Sequence, residues 1–181
     1  MTIPFDTVQM PVKRFLNPTH TEIKYKQLGF LITDCPDDDL MVNYIEAYQK
    51  FGVTAVVRVC EQSYDKTPIT DAGIKFYDLV FPDGTTPDIT VREKWLNIIK
   101  EDIRENPNNS CIAIHCVHGL GRSPVMVALA LREAGMSKQD SIDLIKAKRR
   151  GSFNLRQLEF LQKYRPNHRL ATNKQTTCTI M

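Results

Sequence analysis

The run VTAVVRV (53–59) is β-branched and nearly continuous. A strand of that kind has no polar side to show to water, so it must be covered on both faces, the usual condition of a parallel strand. IKFYDLV (74–80) and CIAIH (111–115) read as two more strands. Between them the apolar spacing becomes helical. Leu40, Tyr44, Tyr48 and Phe51 share one face of a helix that Gly52 ends, and Val91, Trp95, Ile98 and Ile99 mark a helix through about Glu105, stopped by NPNN. Strands alternating with helices predict an α/β fold with a central, mostly parallel sheet and helices on both faces.

The remaining segments fit that plan. EIKYKQLGFLIT (22–33) reads as one or two strands, and DCPDDDL puts acidic residues at a helix start. PVMVALALREAGM (124–136) is apolar nearly all round in its first turns, which predicts a buried helix. Ser137 and Asn154 stand where N-caps are expected for two further helices, and Pro166 closes the second. The expected organisation is an irregular extension over 1–20, one domain over 21–166, and a flexible basic tail over 167–181.

The stretch HCVHGLGRSP (115–124) sits between a strand and a helix. In an open α/β sheet ligands bind where strands end and helices begin. A loop opening a helix presents unpaired N–H groups, and glycines at 119 and 121 allow backbone angles that turn successive N–H groups around one anion. Arg122 adds a two-pronged donor for phosphate oxygens. Val117, His118, Gly119, Leu120 and Gly121 complete this strand-loop-helix phosphate cradle. A cysteine at its mouth is held as thiolate, because comparable sites lower the pKa from roughly 8.5 to roughly 3.5–7.5. Cys116 is therefore the expected nucleophile, and Ser123 the group that steadies its sulfur when a thiophosphate breaks. His115 holds the loop by hydrogen bonds.

Hydrolysis also needs a proton for the leaving oxygen. Asp83 in FPDG is the candidate, on a loop with a stiff proline shoulder and a glycine hinge. Asp78 and Asp88 are its alternatives. No cofactor is expected. No metal is expected either, because His115, Cys116 and His118 have no second ligand pair at suitable spacing.

These pieces resemble a known family. HCVHGLGRSP is similar to the signature loop of cysteine-dependent protein tyrosine phosphatases of the dual-specificity branch, and FPDG to their acid loop. VVRVCEQSYD, GLGRSPVMVALAL, KRRGSFNLRQL and the terminal CTIM narrow the resemblance to the phosphatases of regenerating liver, the PRL family. The likeness runs from about residue 22 to the end. It implies a dual-specificity phosphatase-like fold, hydrolysis of phosphate monoesters through a phosphocysteine, and the roles already given to Cys116, Arg122 and Asp83. It also implies a reversible disulfide between the nucleophile and the cysteine of RVCE, here Cys60; the alternative for Cys60 is a buried strand cysteine. Two positions depart from the family. Ser123 stands where familiar members carry alanine, which goes with slow turnover, and His118 replaces a small residue at the rim.

Charge and the final residues bear on location. The net charge of +3 conceals a body of −5 over residues 1–145 and an end of +8 over 146–181. A basic end on an acidic body suits an anionic surface rather than nucleic acid. CTIM fits a prenylation signal with Cys178 as acceptor and Met181 favouring farnesyl. One lipid chain binds membranes weakly, so the Lys/Arg cluster is the second signal. The resemblance implies a phosphoprotein substrate, a prenyltransferase as modifying partner, and residence on the cytoplasmic face of plasma or endosomal membranes with a cytosolic pool. No secretory signal is read in MTIPFDTVQM, and five irregularly spaced cysteines suit a reducing compartment. Other readings are a low-turnover binding module acting on a cyclin-M-type magnesium transporter through the signature-loop face, and a phosphoinositide phosphatase.

Overall fold

A computed structural model describes residues 19–171. A hairpin opens it: β1 (His20–Tyr25) turns through Lys26, whose φ is +53°, into β2 (Leu28–Thr33), with Tyr25 opposite Leu28. A single turn of 3-10 helix at Asp38–Leu40, capped by the Asp37 carboxylate, leads into α1 (Met41–Lys50). Then follow β3 (Ala55–Arg58), α2 (Thr67–Asp71), β4 (Lys75–Asp78) and α3 (Ile89–Glu105). The chain continues through β5 (Cys111–His115), α4 (Arg122–Glu133), α5 (Lys138–Lys148) and α6 (Leu155–Lys163).

The five strands lie in the order β1-β2-β5-β3-β4. Only the β1–β2 pair is antiparallel; β2–β5, β5–β3 and β3–β4 are parallel. The mostly parallel α/β sheet expected from the apolar runs is what forms.

Side chains alternate between the two faces, as strand geometry requires. Phe30, Ile32, Ala55, Val57, Ile112 and Ile114 pack toward α3, α4, α5 and α6 with Trp95 and Leu129. Leu31, Val56, Cys111 and Ala113 point the other way, against Tyr44 and Tyr48 of α1 and Ile69 of α2. Central β5 is buried at all five residues because both faces are covered. Trp95 is fully buried and its indole N–H donates to the Met126 carbonyl at 2.8 Å, which locks α3 against α4.

Three local differences from the sequence reading have physical causes, and one choice it left open is settled. α4 begins at Arg122, two residues before Pro124, so Arg122 and Ser123 belong to its first turn. The segment 22–33 is two strands, because Lys26 takes a left-handed conformation. α2 escapes detection because it has only five residues and one buried apolar side chain, Ile69. Residues 167–171, counted with the flexible tail, are packed on the domain. The Asn167 and Arg169 amides donate to the Glu133 carboxylate at 3.3 and 2.9 Å, and Leu170 is buried. Residues 1–18 and 172–181, with Cys178 and the prenylation signal, lie outside the described residues.

Candidate active site

The topology sets the chemistry at one edge. β5 ends between its two parallel neighbours β2 and β3, and the loop 116–121 leaves from there into α4. That is the sheet-edge position where ligand sites form in open α/β folds.

Cys116 is buried at 3% exposure. Burial pushes its thiol up. Hydrogen bonds from the Ser123 hydroxyl and from the amides of Ser123, Gly121 and Gly119 outweigh it and hold the group below the ordinary thiol range. The Ser123 hydroxyl is itself fully buried and, among the described residues, is aligned for a hydrogen bond with no partner at rest; the Cys116 thiolate is the group it favours.

Only one of the two loop glycines works as expected. Gly119 has φ +65°, and a Cβ there would lie 2.3 Å from the Thr33 carbonyl oxygen and 2.5 Å from Arg149 Nη2. Gly121 has φ −118°, so it uses no left-handed freedom. A Cβ there would come within 3.2 Å of the Gln157 amide nitrogen, a tight contact that the Gln157 side chain would have to relieve by a small shift.

Arg122 is 1% exposed. Its Nη1 donates to the carbonyls of Phe81 at 3.0 Å and Val59 at 3.3 Å, and to Glu61 Oε2 at 3.3 Å. Its Nε lies 3.1 Å from Asp83 Oδ1, too poorly aligned for a hydrogen bond, and has no other partner among the described residues. A buried guanidinium N–H with no well-aligned acceptor, in the turn that follows the loop, is suited to bind an oxyanion.

Asp83 is 79% exposed at its side chain and stands over the loop. Its loop is docked rather than free: Asn154 Nδ2 donates to the Gly84 carbonyl at 3.0 Å and Gln157 Nε2 to the Thr85 carbonyl at 3.1 Å. Asn154 also caps α6, in a reciprocal box with Gln157. The two alternative acids are occupied elsewhere. Asp78 is bidentate to the buried Arg58 at 2.7 and 3.2 Å, and Asp88 caps α3 at the Val91 amide. Asp83, Cys116, Val117, His118, Leu120 and Gln157 help line a cavity of about 280 Å³, near the lower end of the usual small-molecule range.

Sequence reasoning missed Arg149. It is 8% exposed, and its guanidinium holds the loop from behind: Nε donates to Gly119 O at 2.6 Å, Nη2 to His118 O at 2.9 Å and Nη1 to Thr21 Oγ1 at 3.0 Å. Drawing those carbonyls outward leaves the loop amides facing the sulfur. The run KRRG carried a cue in its charge next to a turn, but its distance from the loop in sequence hid the pairing.

His115 is fully buried. Its Nε2 pairs with the Tyr64 hydroxyl at 2.6 Å and its Nδ1 lies 3.4 Å from Cys116 O, in keeping with a structural role. Cys60 is buried on the same sheet edge, as the parallel β3–β5 pairing demands. Its thiol partner is Cys35, which the sequence reading did not single out. Hydrogen bonds from the Cys60 thiol, then His115 and Ser63, lower Cys35 against its partial burial, while Cys60 is raised by that bond and by burial.

A family model described as "Polymorphic toxin system, DSP-PTPase phosphatase" matches residues 39–136. Human protein tyrosine phosphatase type IVA 3 is 47% identical over 173 residues, 93% of this chain and 99% of that one. The PRL-1 phosphatase of Drosophila melanogaster is 46% identical over 167 residues, 91% and 94% of the two chains. A solved protein tyrosine phosphatase structure from Leishmania major superposes with a TM-score of 0.73 at 36% identity, covering 81% of this chain and 98% of the other. With its signature loop built around a depressed thiol, the chain belongs to the protein tyrosine phosphatase type IVA, or PRL, family of cysteine-dependent phosphatases.

Proposed function

We propose that Cys116 attacks the phosphorus of a phosphoprotein monoester and that Asp83 and Arg122 complete the reaction. The observation that carries this reading is a single convergence. The Cys116 thiolate is favoured by the Ser123 hydroxyl and amide and by two loop amides, the Arg122 guanidinium follows in the same turn with its Nε lacking a well-aligned acceptor, and the Asp83 carboxylate stands 3.1 Å from that nitrogen. An incoming phosphate takes the guanidinium from Asp83 and Glu61, which releases the Asp83 carboxyl to meet the leaving oxygen. The sulfur–phosphorus bond forms as the phosphorus–oxygen bond breaks, and Asp83, entering this step as the carboxylic acid, gives its proton to the departing oxygen and is left as carboxylate. Water then attacks the phosphocysteine, Asp83 takes the water proton, and the thiolate leaves onto the Ser123 hydroxyl and the loop amides. Ser123 supports faster breakdown of this intermediate than alanine would allow.

Reversible oxidation of Cys116 with Cys60 belongs to the same proposal, supported by their shared sheet edge. So does attachment to the cytoplasmic face of membranes through farnesylated Cys178 and the basic end of the chain, where the transporter of cyclin-M type would be met. The exposed apolar pair Val117 and Leu120 at the loop rim favours such docking.

Hydrolysis of a small aryl phosphate tests the reaction. Cys116→Ser is expected to abolish turnover, and Asp83→Ala to lower it by about 10²–10⁴-fold, the usual worth of a positioned general acid. Wild-type-like turnover in Cys116→Ser would overturn the assignment. Negligible turnover in wild type, with capture of the transporter unaffected by Asp83→Ala, would favour docking as the function.

A further inference from the structure

Cys35, Cys60 and His115 come from three separate strand ends. Cys35 follows β2, Cys60 follows β3, and His115 ends β5 between them. Their sulfur and ring-nitrogen atoms all lie within 4.8 Å of one another, and Cys60 Sγ is 3.9 Å from His115 Nδ1. The hydrolytic reaction uses none of the three side chains directly.

Two chemistries are open to two free thiols and an imidazole so placed. A disulfide needs sulfurs about 2.05 Å apart. A tetrahedral ion with metal–sulfur and metal–nitrogen distances of about 2.3 and 2.0–2.1 Å places two sulfurs about 3.8 Å apart, and a sulfur and ring nitrogen about 3.5 Å apart. The Cys60–His115 separation of 3.9 Å is near the second pattern, and with all three atoms within 4.8 Å of one another small rotamer adjustments close them on an ion.

Two further features belong to a metal site. Metal-binding histidines have the other ring nitrogen held by a hydrogen bond, which fixes the tautomer. His115 Nε2 is held so by the Tyr64 hydroxyl at 2.6 Å, leaving Nδ1 toward Cys60 at 3.9 Å, with Cys116 O at 3.4 Å beside it. There is also a route from solvent. Cys35 is half-buried and lines an open cleft of about 620 Å³, with Ser63 Oγ 3.1 Å from its sulfur. Water from that cleft can complete the coordination left open by three protein ligands.

We propose that Cys35, Cys60 and His115 form a binding site for a thiophilic d¹⁰ cation, Zn²⁺ or Cu⁺, next to the phosphatase loop but distinct from it. Two thiolates and one imidazole suit both ions and disfavour Mg²⁺ or Ca²⁺, which require oxygen ligands. The sequence reading excluded metal because it sought ligands within the loop; these three are brought together only by the strand order.

The test uses the full chain, stripped with a chelator and kept reduced by a phosphine. Zn²⁺ and, separately, Cu⁺ are titrated against a chromogenic competitor, and Co²⁺ reports sulfur ligation through thiolate charge-transfer absorption. One ion per chain is expected. Cys35→Ser and Cys60→Ser should each weaken binding about a hundredfold or more, and Tyr64→Phe about tenfold, at the lower edge of the effect of an outer hydrogen-bonding partner. Cys116→Ser and Cys178→Ser should bind as wild type does. Retained aryl phosphate hydrolysis by Cys35→Ser confirms that this variant is folded. Unchanged affinity in Cys35→Ser or Cys60→Ser, loss of the ion in Cys116→Ser or Cys178→Ser, or no ion retained by wild type would overturn the proposal. The preferred ion shows which of the two cations occupies the site.

Discussion

Arg149→Lys isolates the positioning of the signature loop from its chemistry. Arg149 touches neither the sulfur nor the phosphate site; it bonds the carbonyls of Gly119 and His118 at 2.6 and 2.9 Å and Thr21 Oγ1 at 3.0 Å. Each bond from a charged donor contributes about 1.5–3 kcal/mol. Lysine keeps the charge but has no planar fork, so it satisfies one carbonyl and leaves the other without its donor, while the half-buried Thr21 hydroxyl turns to water. The net loss is then about 2–3 kcal/mol, the worth of one such bond toward the upper part of that range. Because those bonds set which way the loop amides face, the loss falls on the thiolate and on the transition state together. At about 1.4 kcal/mol per tenfold, kcat/KM should fall roughly 30- to 150-fold. The pH dependence of Cys116 alkylation should also shift upward, which simple loss of fold stability would not cause. The assay is steady-state hydrolysis of an aryl phosphate beside an alkylation profile read by peptide mapping. Wild-type kcat/KM and an unshifted profile in a folded Arg149→Lys protein would refute the claim that this arginine orients the loop.

Three other predictions follow from single contacts. Gly119→Ala carries about 1–2 kcal/mol of left-handed backbone strain and drives a Cβ to 2.3 Å from Thr33 O. A shift of about 1 Å in the loop should lower kcat/KM about 10²-fold in a folded protein, measured by the same hydrolysis assay. Ser123→Ala removes the one hydroxyl on the sulfur. At about 1.5–3 kcal/mol it should slow phosphocysteine breakdown about ten- to a hundredfold, seen as a pre-steady-state burst and phosphoenzyme in acid-quenched samples. Glu133 is fully buried, which raises its carboxyl, but Tyr164, the Arg169 and Asn167 amides and the Arg169 guanidinium hold it lower than the ordinary carboxylate value. Its folded pKa is thus depressed. Its contribution to stability is present above the unfolded value of about 4.3 and is lost as pH falls through the folded one. In urea unfolding, Glu133→Gln should be less stable at neutral pH and show a flatter acid limb than wild type.

What could be read directly from the chain was whatever depends on neighbours in sequence. CIAIH followed by a two-glycine loop and an apolar helix locates the site without coordinates, because strand, loop and helix are contiguous and the helix start supplies the amides. The caps at Ser137 and Asn154 were equally local, and both side chains accept the expected amides. Features joined by the strand order were not legible. Arg149 looked like part of a turn, yet it reaches Gly119 and Thr21. Cys35 looked like part of a helix start, yet β2 and β3 flank β5 and bring it to Cys60 and His115. Asn154 was visible as a cap but not as the donor that tethers the acid loop at Gly84. Gly121 was recognised for the wrong property, since its neighbour Gln157 lies far along the chain. The tail was drawn to start at 167 because polarity alone does not reveal that Glu133 collects the amides of 167 and 169.

The central claim is that Cys116 is a thiolate at rest, and its alkylation rate against pH tests it most directly. With an iodoacetamide-type probe and peptide mapping to separate Cys116 from Cys35, the inflection in Cys116 reactivity should lie below the ordinary thiol value. An inflection at or above the ordinary thiol value of about 8.5 would contradict the account.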